Sequence, residues 1–440
     1  MRIASTVLVL GVTLVMPSLS RAQATGFTIG GGESVAAEHG SLTVPANRHA
    51  DGAQTITLRF VRFRSTAAVP AAPIVFLAGG PGDAATRAFH GMPRAMLDRL
   101  RAVADVIAFD QRGTGTSEPR AICPPGDMMP LDRPADPGRL VASLKERLAI
   151  CLPELKRSGV DVAGLTTEES ADDVAALRAA LGVPSVMLLA GSYGTHLALA
   201  VARRHPAAVA RMALLGVEGP DDTIKLPADL DAALGRIDQR HPGLSSSLRA
   251  LLERLQREPW TKTLPNGQRV TVGAWDLQRR VADALGTMAE IDALPAAVPA
   301  MMAGDYSDVI RWAIPFRVAR PIDVMHVAMD CASFASPARL ADVERQAPSA
   351  MLGSAINFPL PDICDAPGLP RLPEAFRAPI TSQVPALFVS GALDGRTPAS
   401  NAERIAKGFA HGELLVVPGA SHSLFREPAA MDAALAFLAK

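Results

Sequence analysis

Six times along this chain a short apolar run stops at a cluster of turn residues, with helical patterns between most of the runs. Residues 73–78 end in Gly79-Gly80-Pro81-Gly82, and residues 105–109 end in Asp110-Gln111-Arg112-Gly113-Thr114-Gly115. Residues 185–189 stop at Ala190-Gly191-Ser192, and residues 211–215 at Gly216-Val217-Glu218-Gly219-Pro220. The last two, residues 385–391 and 413–417, return near the C-terminal end. Continuous apolar runs suit strands buried on both faces, and their alternation with helices suits a parallel sheet. The expected class is therefore α/β, a mostly parallel central sheet flanked by helices. Upstream, residues 41–45 and 55–63 alternate apolar and polar residues and read as two antiparallel strands at a sheet edge. A helix over residues 168–181 opens with Thr166, Thr167 and Glu169 in capping positions and closes at Gly182.

From Asp221 to about Pro379 the strand signals vanish. Helical patterns cover residues 226–237, 244–255, 274–288 and 337–346. A helical cap over 221–379, inserted into a core made of 25–220 and 380–440, is the economical organisation. Residues 428–439 form an amphipathic helix, and the Pro-rich stretch 118–137 reads as a surface loop tied down by Cys123.

The N-terminus reads as an export leader over residues 1–24. Arg2 supplies a positive start, residues 7–16 are apolar, and Ala22-Gln23-Ala24 fits a small-x-small cleavage site. A periplasmic or secreted protein is expected, with no stable membrane insertion after cleavage. Lys+Arg balances Asp+Glu at 44 each, so the basic excess that nucleic-acid binding needs is missing. An even count of four cysteines in an exported chain favours disulfides, and four allow three connectivities. Sequential pairing, Cys123 with Cys151 and Cys331 with Cys364, is expected. No Cys/His cluster has metal-ligand spacing, and no metal or organic cofactor is called for.

Ser192 sits where an apolar run meets a helical pattern, flanked by small residues, which is the layout of a nucleophile elbow. The motif G-x-S-x-G is met with Ala190 in place of the first glycine. A serine hydroxyl needs a base to take its proton and a third group to orient that base. In a parallel sheet such groups belong just past the carboxyl ends of strands. Asp394 follows the run 385–391, and His422 follows the run 413–417 within Pro418-Gly419-Ala420-Ser421-His422. Their order, Ser192, Asp394, His422, is the one this fold uses. His411 precedes the last strand, His196 falls in the elbow helix, and His90 and His326 lack a suitable strand. The backbone N–H groups of Gly80 and Tyr193 are the candidate oxyanion donors. Asp110 and Arg112 read as residues that shape their own loop.

Together these pieces resemble the α/β-hydrolase fold, and more narrowly the exported prolyl and tripeptidyl aminopeptidases that include proline iminopeptidase. The matching segments are Gly79 to Gly82, Asp110 to Ser117, Gly191 to Thr195, the Asp394 loop running on to Thr397-Pro398, and Gly419 to His422; both cysteine pairs also sit where exported members tend to have them. The resemblance implies a helical cap over the active site and removal of residues from a free peptide N-terminus. Such enzymes use an acid to hold the substrate ammonium, often a Glu shortly after the cap cysteine. Here Ala332-Ser333-Phe334 follow Cys331, which leaves Asp330 or Glu218 as substitutes. The expected substrate is a small peptide or ester, cleaved through an acyl-enzyme. The alternatives are a carboxylesterase with the same triad and a non-catalytic exported binding protein. The oligomeric state stays open.

Overall fold

The computed structural model describes residues 18–19, 23–51, 54–318 and 320–440. The apolar core of the expected leader, residues 7–16, and Ala22 of its cleavage motif lie outside these residues.

The centre is a ten-stranded sheet. Its strands in chain order are β1 (Ser18–Leu19), β2 (Gln23–Thr28), β3 (Ser34–Pro45), β4 (Thr55–Phe63) and β5 (Ala71–Leu77). They continue with β6 (Ala104–Asp110), β7 (Val186–Gly191), β8 (Val209–Leu215), β9 (Ala386–Gly391) and β10 (Gly412–Val417). The order across the sheet is β1-β3-β4-β6-β5-β7-β8-β9-β10, with β2 also paired to β3. From β6 to β10 every pairing is parallel, while β1 to β4 are antiparallel. The two expected antiparallel strands are present as β3 and β4, yet they are not the outermost. β3 begins seven residues before the predicted run, at Ser34, and carries β1 and β2 beyond it. The alternation that would have announced this extension rests on small residues, Ala36 and Ala37, which carry a weak strand signal.

The parallel strands are apolar throughout because both faces are covered. Val75, Leu77, Leu188, Ala190, Leu214 and Phe388 pack into one core. Their immediate neighbours Ile74, Phe76, Met187, Leu189, Leu215 and Val389 pack into another on the opposite face. This is the period-2 alternation of a strand read twice, once for each helix layer. Register aligns the strand ends: Leu77 pairs with Ala190, Gly191 with Leu215, Leu215 with Val389, and Gly391 with Val417. The loops that leave these strands therefore emerge along one edge.

Residues beyond β8 build a third core from Leu234, Leu248, Leu251, Val281, Leu294 and Val309, among others. Helices Pro227–Arg240, Leu244–Arg257, Ala274–Ala284, Met288–Met302 and Ser307–Arg317 supply it. The expected absence of strands here is corrected by the hairpin Trp260–Thr263 with Arg269–Val272. Its cue was legible in Asn266-Gly267 between two short runs of alternating residues. The predicted helix over 274–288 is likewise two helices, broken at Leu285-Gly286-Thr287, where the Thr287 hydroxyl accepts from Glu290 N and caps the second. Two disulfides join Cys123 to Cys151 and Cys331 to Cys364, as expected.

Candidate active site

Ser192 stands between β7 and helix Tyr193–Arg204 with φ 54° and ψ −130°, a left-handed backbone for a non-glycine residue. Such a conformation costs on the order of 1–3 kcal/mol and persists only where its surroundings over-determine it. Here they do so through hydrogen bonds. Ser192 N donates to Leu215 O at 3.0 Å, and both the N–H and the hydroxyl of Thr195 donate to Ser192 O. The Thr195 hydroxyl in turn accepts from Glu218 N at 2.8 Å, which ties the elbow to the end of β8. Close packing explains the small residues. A Cβ on Gly194 would lie 2.1 Å from Leu77 O, and one on Gly191 would lie 2.4 Å from the Phe425 ring. Ala190, where the motif expects glycine, is a buried strand residue between Leu77 and Leu214.

Asp394 and His422 meet beside it. His422 Nδ1 is 2.9 Å from Asp394 Oδ2, and the aspartate is fully buried. Thr397 holds the pair: its N–H donates to Asp394 Oδ1 at 2.8 Å, and its hydroxyl lies 2.8 Å from Asp394 Oδ2 and 3.0 Å from His422 Nδ1. Arg396 N adds a donor to Asp394 Oδ1 at 2.7 Å. Burial alone would raise the Asp394 carboxyl. The charge and hydrogen bond of His422, with the Thr397 donors, outweigh it and hold the group below the usual carboxylate range.

Ser192 and His422 line one cavity of about 960 Å³, which also takes in Gly79, Gly80, Glu218 and Asp330. The volume is at the large end for a small-molecule site. Gly80 has φ +104°, and a Cβ on Gly79 would sit 3.0 Å from Ser192 Cβ, so this loop passes directly over the serine. Tyr193 is the first helical residue, whose N–H has no intrahelical acceptor.

The two sequence-predicted acids differ in company. Glu218 is buried with Lys225 Nζ 2.6 Å away. Asp330 sits on helix Val324–Ser333, 3.4 Å from His326 Nε2. Burial pushes the Asp330 carboxyl up to about 6, with His326 opposing and Glu218 assisting. His326, set aside in the sequence for want of a strand, bonds through Nδ1 to Pro81 O at 2.5 Å and lines the cavity. No local motif announces it, because helix Val324–Ser333, remote in the chain from Pro81, delivers it. Asp110 and Arg112 shape their loop as expected. Asp110 accepts from Thr86 and Thr116, and Arg112 is buried against Asp173, Glu169 and the Ala46 and Gly164 carbonyls.

A family model described as alpha/beta hydrolase fold matches residues 72–429. The chain belongs to the alpha/beta hydrolase family. This alpha/beta hydrolase is 27% identical over 190 residues to serine protease Hip1 of Mycobacterium tuberculosis, covering 41% of the chain and 36% of that protein. It is 30% identical over 165 residues to the tripeptidyl aminopeptidase of Streptomyces coelicolor, covering 36% and 30%. The matched segment thus spans about a third of those relatives' length. Among solved structures, a thermophilic esterase from Thermogutta terrifontis aligns over 95% of this chain and 100% of its own, at 16% identity and a TM-score of 0.40.

Proposed function

We propose that this alpha/beta hydrolase is an exported serine aminopeptidase that releases N-terminal residues or short peptides, of the proline iminopeptidase or tripeptidyl aminopeptidase type. The observation that carries it is the strained Ser192 facing a cavity shared with the His422–Asp394 pair and with Asp330. His422 takes the Ser192 proton as the hydroxyl attacks the scissile carbonyl. Asp394 fixes the imidazole tautomer and stabilises the imidazolium. The N–H groups of Gly80 and Tyr193 receive the oxyanion, each worth about 3–4 kcal/mol in the transition state. The imidazolium protonates the leaving amine, and water then releases the acid from the acyl-enzyme.

Asp330 is the better acid for the substrate ammonium, because Lys225 already compensates Glu218. The two disulfides support an extracytoplasmic location. The neutralised Glu218 also favours one second reading, a carboxylesterase with the same triad. Comparing a free aminoacyl or tripeptidyl amide with its N-acetylated form and a p-nitrophenyl ester separates the two. The free amide should be strongly preferred; equal rates on both amides remove the aminopeptidase, and cleavage of the ester alone promotes the esterase. Ser192→Ala should abolish turnover on every substrate while keeping the fold.

A further inference from the structure

Away from the hydrogen bonds of Asp394 and His422, the cavity wall carries a second charged group. Arg279 Nη2 and Arg396 Nη2 each lie 3.0 Å from the same oxygen, Asp283 Oδ1. The other oxygen, Oδ2, accepts the indole N–H of Trp312 at 3.1 Å. One carboxylate thus serves two guanidiniums and an indole. The neighbouring acid on the wall, Glu290, turns to Arg280 at 3.6 Å, and Arg280 is also held by Asp308 at 3.1 Å. Arg279 Nη1 is spent on the carbonyls of Ala355 and Ile356 at 3.1 and 3.2 Å. Its Nε is buried without a hydrogen-bond partner among the described residues. Burial lowers the Arg279 guanidinium below its ordinary value; Asp283 opposes this and Arg396 adds to it, the condition of a positive charge only partly compensated.

The pair lies on the His422 side of the cavity. Arg396 follows Asp394 by two residues and donates its N–H to that carboxylate. Its guanidinium rests on Gly286, where a Cβ would meet Nε at 3.2 Å. The Gly286 carbonyl accepts from the hydroxyl of Ser423, next to His422, at 3.4 Å. In the proposed reaction His422 hands its proton to the leaving amine, so the leaving fragment extends over this loop. Asp330, by contrast, is joined through His326 to the Gly79–Gly82 loop.

We infer that Arg279 and Arg396 form a carboxylate-binding subsite for the leaving fragment, so that the substrates are short peptides with both termini free. The inference rests on the aminopeptidase reading and narrows its substrate class. A guanidinium can meet a carboxylate through charge-assisted hydrogen bonds; Arg396, a third exposed, presents the donors, and Arg279, with Nη1 and Nη2 engaged and Nε buried, adds positive charge beside them. An amidated C-terminus would leave the cationic wall uncompensated.

The test compares a tetrapeptide bearing free termini with its C-terminal amide, and 4-acetoxybenzoate with its methyl ester. The acid should exceed the neutral form in kcat/KM by about 10–100-fold, the discrimination that one unpaired buried charge supports. Arg396→Gln should shrink that ratio to within about threefold, and Arg396→Lys should keep part of it. Arg396 is the variant of choice because its side chain is a third exposed and Arg279 keeps its carbonyl partners. Equal rates of the wild type on acid and amide, or an undiminished ratio in Arg396→Gln, overturn the subsite. If no peptide is cleaved, the aminopeptidase reading falls, and the ester pair alone decides the subsite: preference for 4-acetoxybenzoate keeps it and equal rates remove it.

Discussion

Gly216 stands directly against the imidazole of His422: a Cβ there would lie 3.2 Å from both Cε1 and Nδ1 of the ring, and 3.0 Å from Thr397 Oγ1. Its φ of +68° adds a second reason for glycine at this position. The end of β8 therefore sets the plane of the His422 ring from behind, while Thr397 and Asp394 set it from the Nδ1 side.

Gly216→Ala carries both penalties at once. Left-handed backbone costs an alanine about 1–2 kcal/mol, and the methyl presses the ring away from Asp394. A displacement of that kind should lower kcat by on the order of 10–100-fold. Ester turnover and thermal unfolding of the same preparation measure the two effects. A variant that loses stability but turns over normally would show that the ring is not held by this contact.

Asp394→Asn should keep the fold and lower kcat by about 10³–10⁴-fold, since an amide cannot hold the imidazole in the required tautomer or stabilise its cation. The same substitution changes acid stability. The folded Asp394 carboxyl lies below its ordinary 3.8, so the wild type gains stability above that value and loses it as pH falls through the folded one. Urea midpoints across the acid range should therefore fall more steeply for the wild type than for the variant.

The sheet and the three residues Ser192, Asp394 and His422 were legible because each rests on a local signal. A run of apolar residues marks the strand, and small or turn residues after it mark the loop. Residues placed by the segments between β8 and β9 carried no such signal. His326 reaches Pro81 across 245 positions, and Lys225 reaches Glu218 only because the chain turns back after β8. Arg279 and Arg396 are ordinary helix and loop residues until the fold brings them to one carboxylate. The hairpin within 260–272 was different, since Asn266-Gly267 announced it and the surrounding helical patterns masked it.

Reduction should destabilise the protein in two separable amounts. Cys123–Cys151 closes 28 residues and Cys331–Cys364 closes 33. Each limits the unfolded chain by about 3–4 kcal/mol on the loop-entropy account. The second places Cys331 inside helix Val324–Ser333, which carries Asp330 and His326, while Cys123 of the first pairs with Ile322 just ahead of that helix. Paired Cys→Ala variants at 331 and 364 should therefore lower Tm and raise KM for free-amine substrates more than the pair at 123 and 151, which touches the helix only at its start. Identical kinetic effects from both variants would disconnect the disulfide from the site.

Asp330 offers a test in which stability and function move in opposite directions. Its carboxyl ionises at about 6 in the folded protein, against 3.8 in an ordinary environment. Between those values the native state holds a proton that the unfolded state has released, so stability falls as pH rises from about 4 to 6 and levels off above. Asp330→Asn removes a cost of at most about 3 kcal/mol at pH 8, converting the shift at 1.36 kcal/mol per unit. The variant should unfold at higher temperature than the wild type at pH 8, and the difference should shrink toward pH 4. The same carboxylate must be ionised to hold an ammonium, so wild-type KM for free-amine substrates should rise as pH drops through about 6. KM for neutral esters should stay flat across that range. A variant with a higher Tm and an unchanged KM for free amines would leave Asp330 as a buried acid without a substrate partner, and the ammonium site would have to move to Glu218.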